Sequence, residues 1–134
     1  MLRNVLYLAL GTIVLSGCIS IHTTEYASES KEHQVLRHVV MFKFKDGTSS
    51  QQTREIEDAF RALPGKIDAI CDFEWGTDVS VENRHAGFTH CFLVTFRSEA
   101  DRAEYIPHPD HKEFGKILGP HLDKVLVVDY WAAK

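Results

Sequence analysis

The stretch Tyr105-Ile106-Pro107-His108-Pro109-Asp110-His111 sets a phenol and two imidazoles close together around a pair of prolines. Imidazole, with a reference pKa of about 6.5, takes up protons near neutral pH. A phenol, at about 10, stays protonated and donates a hydrogen bond. Side chains of this kind handle protons, and they are either turn chemistry or the mouth of a pocket. The prolines say where these groups sit. Pro107 disfavours helical geometry at Ile106, so a helix should end there. Pro109 suits the first position of a new helix, with His108 at its cap. The second piece should then run to Gly119-Pro120.

In that second piece His111, Phe114 and Leu118 fall at i, i+3 and i+7, a single stripe. Phe114 and Leu118 must face the core, so His111 faces it too. Two further histidines lie on apolar faces of predicted strands. His38 shares a face with Leu36, Val40, Phe42 and Phe44. His90 shares one with Phe88, Phe92, Val94 and Phe96. The expected site therefore brings the titratable side chains of His111 and Tyr105 together between sheet and helices. His38, Val40, Phe42, Phe60, Phe73, His90, Phe92, His108 and Phe114 would form the pocket around them. An apolar hollow with a few placed polar groups is the form of a small-molecule site. Plainer roles compete for each residue. His108 has the position of a helix cap, and Tyr105 can simply bury its ring. His38 and His90 can bond to each other or to Tyr105 as a buried polar network. The phenylalanines suit ordinary core.

The elements that must hold this site follow from periodicity. Residues 35–45 are β-branched and aromatic, a strand with apolar residues on both faces. Asp46-Gly47 marks a turn, and the Ser/Thr run at 48–50 followed by Gln51-Gln52 resembles a capping box. Ile56, Ala59, Phe60 and Leu63 then recur at helical spacing until Pro64-Gly65. Residues 70–79 and 88–97 read as the second and third strands, separated by a polar loop at 82–87. Ser98 caps the next helix, with acids in its first turn. Val125 to Trp131 is the last strand. The order β-α-β-β-α-β, with the second helical segment broken in two, is the α+β ferredoxin-like pattern: an antiparallel sheet with helices on one face. Both sheet faces are partly apolar, so a second copy of the sheet is the simplest cover for the other face. That predicts a homodimer through the sheet.

The chain of 134 residues has room for one such domain. Its formal net charge of −4 gives no support to nucleic-acid binding, which would want a basic face. The first residues are of another kind. Arg3 is followed by an apolar run from Val5 to Leu15, too short for the roughly 20 residues of a spanning helix. It ends in Leu15-Ser16-Gly17-Cys18, which matches a bacterial lipobox. Residues 1–17 are thus expected to be a lipoprotein signal peptide, with Cys18 carrying palmitate-type acyl chains and residues 18–34 serving as a polar tether. Several acyl chains make a stable anchor where one is marginal. Ile19 after the cysteine, rather than Asp, points to the outer membrane facing the periplasm. Residues 35–134 form the folded domain. Cys71 and Cys91 fall in predicted strands and lack CxxC spacing, so they read as a disulfide or as two buried thiols. No zinc spacing is present and no cofactor is expected.

Four strings then take on a common meaning: "RHVVMFKFKDGTS", "FEWGTDVS", "GFTHCFLVTFRSEADRAEYIPHPDHKEF" and "VLVVDYW". Together they resemble the stress-responsive A/B-barrel (Dabb) domain family of the dimeric α+β barrel superfamily, over about Leu36 to Trp131. The resemblance implies the ferredoxin-like fold and a sheet-to-sheet dimer. A characterised plant branch is a polyketide cyclase that closes an aromatic ring by aldol condensation. By motif position its histidine base would fall on His111 and its tyrosine on Tyr105, with His38 and His90 lining the cavity. The expected function is binding of a small hydrophobic or aromatic ligand, with cofactor-free lyase, cyclase or isomerase chemistry. A non-catalytic ligand carrier or stress-related sensor is the alternative. Haem or metal binding by His38, His90, His108 and His111 is a weaker one.

Overall fold

A computed structural model describes residues 34–132. The signal segment, Cys18 and all but the last residue of the tether lie outside the described residues. The elements are β1 (Leu36–Phe44), α1 (Ser50–Arg61), β2 (Asp72–Thr77), β3 (His90–Phe96), α2 (Glu99–Tyr105), α3 (Pro109–Leu118) and β4 (Leu122–Trp131). Short 3-10 turns follow α1 and α3. The sheet order is β2-β3-β1-β4, with every neighbouring pair antiparallel. This is the ferredoxin-like α+β fold.

Local chemistry places the helices. The Ser49 hydroxyl accepts the Gln52 N–H at 3.2 Å, and the Gln52 side-chain oxygen accepts the Ser49 N–H at 2.9 Å. That reciprocal capping box starts α1. Ser98 accepts the Asp101 N–H at 3.1 Å and starts α2. The helices then cover one sheet face. Leu36, His38, Val40 and Phe42 of β1 are buried, in phase with Phe92, Val94 and Phe96 of β3. Helix α1 buries Ile56 and Phe60 on them, and α3 buries Phe114 and Leu118. The aromatic centre is tight: Phe60 lies 4.4 Å from Phe92 and 4.6 Å from Phe114, centroid to centroid.

Two strands are shorter than their periodicity predicts. At the start of β3 the Phe88 N–H is taken by the His85 carbonyl, which makes a local turn. Phe88 therefore leaves the helix-facing set and lines a hollow with Met41 and Cys91 on the opposite face. Asn83 and Ala86 adopt positive φ in the same loop, which ends the alternation. Cys71 precedes β2 rather than lying in it. It is out of reach of Cys91, which pairs across the sheet with Gly76. Both thiols are free and half-buried.

Strand β4 behaves differently from its neighbours. Val125 to Val128, Tyr130 and Trp131 are all exposed, although their pattern is that of a core strand. On the face away from the helices, Leu126, Val128 and Tyr130 stand exposed beside the half-buried Val39, Met41 and Leu93.

Candidate active site

The helix break builds the centre of the site. Helix α2 ends at Tyr105, whose ring is buried 5.2 Å from Phe96 and 5.7 Å from His38. The His108 N–H donates to the Tyr105 carbonyl at 3.1 Å. His108 Nδ1 in turn accepts the Asp110 N–H at 3.2 Å and caps α3. In an unbroken helix that Asp110 N–H would bond the Ile106 carbonyl. Here it cannot, and the carbonyl is free for another donor. His111 supplies it: Nδ1 lies 2.9 Å from the Ile106 oxygen. A carbonyl only accepts, so the proton is on Nδ1 and the lone pair is on Nε2. The rings of His111 and Tyr105 are 4.3 Å apart. Burial pushes the Tyr105 phenol well above its ordinary range, so it remains a hydrogen-bond donor at any physiological pH.

A second imidazole is set in the same way from the sheet. His38 stands opposite Asp129 in the β1–β4 register. Its Nδ1 lies 2.6 Å from Asp129 Oδ1, and Arg102 donates to Oδ2 of the same carboxylate at 2.8 Å. The carboxylate holds the proton on Nδ1 and again leaves Nε2 as the acceptor. Tyr105 thus packs against two imidazoles whose tautomers are fixed by second partners.

These groups open onto a cavity of about 350 Å³. Its sheet wall is His38, Val40, Phe42, Val125 and Val127. Its helix wall includes Phe60, Tyr105, Ile106, His111, Lys112 and Phe114, and Leu118 and Leu122 also line it. The size and mostly apolar lining are those of a site for a small organic ligand.

Of the residues expected around this pocket, His38, Val40, Phe42, Phe60, Tyr105, His111 and Phe114 line it. Four do not. Phe92 is fully buried beneath Phe60, and Phe73 packs 5.5 Å from Phe60 on the β2 side. His108 is spent on the α3 cap. His90 bonds neither His38 nor Tyr105. Its Nε2 donates to Glu57 at 2.9 Å, its Nδ1 lies 2.9 Å from the Thr89 hydroxyl, and its ring packs edge-on against Phe44. The alternation that put His90 on the helix-facing side was sound. Its place along the strand, at the α1 end, was a matter of register. Among the described residues no three His, Cys, Asp or Glu side chains are grouped to hold a metal ion.

Sequence reasoning missed Asp129, Arg102, Lys112 and the Ile106 carbonyl. One signal for Asp129 was present: it alternates in phase with Val125 and Val127, so a carboxylate was due on an apolar face.

Comparison with known proteins gives a consistent picture. The family model described as "Stress responsive A/B Barrel Domain" matches residues 36–132. The Arabidopsis thaliana stress-response A/B barrel domain-containing protein HS1 is 46% identical over 95 residues, covering 71% of this chain and 87% of that protein. Olivetolic acid cyclase of Cannabis sativa is 35% identical over 99 residues, covering 74% of this chain and 98% of the cyclase. Among solved structures, the hydroxynitrile lyase of Passiflora edulis superimposes with a TM-score of 0.71 at 31% identity, covering 75% of this chain and 95% of the lyase. Further structures of this fold are dimeric ferredoxin-like proteins of unknown function.

Proposed function

We propose, for a chain that belongs to the stress-responsive A/B barrel (Dabb) domain family, that the cavity binds a small hydrophobic or aromatic ligand and moves a proton beside its carbonyl group. His111 is the base and Tyr105 the donor to the carbonyl oxygen. The observation that carries this reading is the His111 tautomer. Its Nδ1–H is committed to the Ile106 carbonyl, so Nε2 is the basic atom, beside a phenol that burial keeps protonated. The relatives include a cyclase and a hydroxynitrile lyase, and a proton-accepting nitrogen next to a hydroxyl donor suits either reaction type. No step in this scheme requires a cofactor.

Mass spectrometry of what co-purifies with the full chain tests the reading. The compound is then returned to fresh protein and followed over time. Conversion to a product supports the enzyme. A compound that binds and comes back unchanged makes the protein a carrier, a role the apolar lining also fits. Failure of any carbonyl-bearing apolar compound to bind would remove the proposal.

Assembly and anchoring belong to the same reading. The open sheet face presents Leu126, Val128 and Tyr130 beside the half-buried Val39, Met41 and Leu93. A monomer rarely leaves so continuous an apolar surface in water. A second copy packed sheet to sheet covers it, as the dimeric relatives of this fold suggest. Val128→Asp is expected to halve the mass measured by light scattering while leaving the circular dichroism spectrum intact, because Val128 is exposed within the protomer. A wild-type monomer at tens of micromolar would refute the dimer. At the N-terminus, Leu15-Ser16-Gly17-Cys18 supports cleavage before Cys18 and acylation of its thiol, which would hold the domain at the outer membrane on the periplasmic side. In a bacterial host the mature protein should then carry lipid on Cys18, and Cys18→Ser should leave the membrane fraction. An uncleaved, unmodified N-terminus would contradict this.

A further inference from the structure

We infer that the cavity is built for an apolar acid, whose anionic group is held at the rim by Lys112. The inference rests on the reading of the cavity as a ligand site and adds the class of ligand. Its starting point is the charge inventory of the wall. The polar side chains that line the cavity are His38, Tyr105, His111 and Lys112, and none is acidic. Composition does not explain this, because the chain has 19 acidic residues and a net charge of −4.

The acids that flank the cavity's lining residues on α3 and β4 have partners of their own. Both oxygens of Asp129 are held, one by His38 and one by Arg102. On α3 itself, Asp110 pairs with Lys66 at 3.7 Å and Glu113 with Lys116 at 2.8 Å. The positions three and four residues from Lys112 are Pro109, Gly115, His108 and Lys116, so its own helix offers it no acid. From β4, Val125 and Val127 face the cavity, and Asp123 pairs with Lys43 at 3.1 Å. Among the described residues Lys112 forms no ion pair, as Lys45 and Lys124 also do not, but of these three only Lys112 lines the cavity. An exposed ammonium on the rim of an apolar hollow, with no protein counter-charge, matches a ligand with an alkyl or aryl body and a carboxylate head. Lys112 both lines the cavity and is exposed, so a long side chain there can rest its stem on the wall while its charge stays in water. The head group at the rim fixes which end of the ligand enters toward Tyr105 and His111.

The test is isothermal titration of the full chain with 4-phenylbutanoate and with 4-phenylbutanamide, which share one body and differ in charge. The acid is expected to bind about tenfold more tightly at low salt, as a hydrogen bond to a charged group allows. The preference should shrink as salt is added. Lys112→Met should bring the two affinities together by weakening the acid alone, and Lys112→Arg should keep the preference. The residue is exposed, so neither change threatens the fold. Equal binding of acid and amide by the wild type, or an acid preference that survives Lys112→Met, overturns the inference and leaves the cavity reading in place. If neither compound binds, or binding leaves the NMR signals of Phe114 and Leu118 unmoved, the cavity reading falls and the inference falls with it.

Discussion

Alanine at position 111 is expected to slow turnover of the cavity's ligand by about 10²–10⁴-fold, the range for losing a positioned general base. The dissociation constant should change by no more than about threefold, because the apolar walls supply most of the binding and remain in place. This split between rate and affinity is the signature of an interaction made in the transition state rather than in the ground state. A purely structural role for His111 predicts otherwise. It is tied to the Ile106 carbonyl, so its loss would loosen the helix break and disturb Tyr105 as well. His111→Gln separates the two. Glutamine can still donate to the Ile106 carbonyl but offers no basic nitrogen. If the base matters, the glutamine variant keeps the thermal midpoint and binding of the wild type and is as slow as the alanine variant. A glutamine variant with near-wild-type turnover would eliminate His111 as the base and shift attention to His38. There Asp129 enforces the same tautomer from the opposite wall.

The largest stability effect should come from Phe92→Ala, a loss of about 3–5 kcal/mol of unfolding free energy. Phe92 is fully buried and lies 4.4 Å from Phe60, 5.2 Å from Phe42 and 5.6 Å from Trp75, centroid to centroid. Removing it leaves a hole that rigid strand neighbours cannot fill, and the offset ring pairs are lost with the buried area. Urea denaturation monitored by circular dichroism reads the change as a lower midpoint at constant slope. The prediction also separates core from site. Phe92 does not line the cavity, so the folded fraction of the variant should bind 4-phenylbutanoate with an affinity close to wild type. A loss below about 1 kcal/mol would mean that the aromatic cluster is not the packed centre described above.

Much of this molecule is written locally in the chain. Alternation in residues 36–44 is enough to put His38 with Val40 and Phe42, because side chains on a strand can take only two directions. The i, i+3, i+7 spacing turns His111 toward the core with Phe114 and Leu118 for an equally local reason. Pro107 and Pro109 fix the helix break by covalent geometry, and the observed bounds of α2 and α3 follow it. The family follows from the same strings, through motifs that hold their spacing.

Partnership across elements is a different kind of fact. Whether His90 meets Tyr105 or Glu57 depends on how far along the sheet α1 and α3 lie, and no period in the sequence encodes that distance. The Asp129–His38 pair needs the β1–β4 register, which joins residues 91 positions apart. The charge of Lys112 is informative only once Lys112 is seen to line an acid-free cavity while Asp110 and Glu113 of its own helix pair elsewhere. The sequence by itself determined the elements, the faces of their side chains and the place of the break, since each rests on interactions within a few residues. The tertiary structure alone decided which polar groups meet, because register and helix placement are set by the packing of the whole core at once.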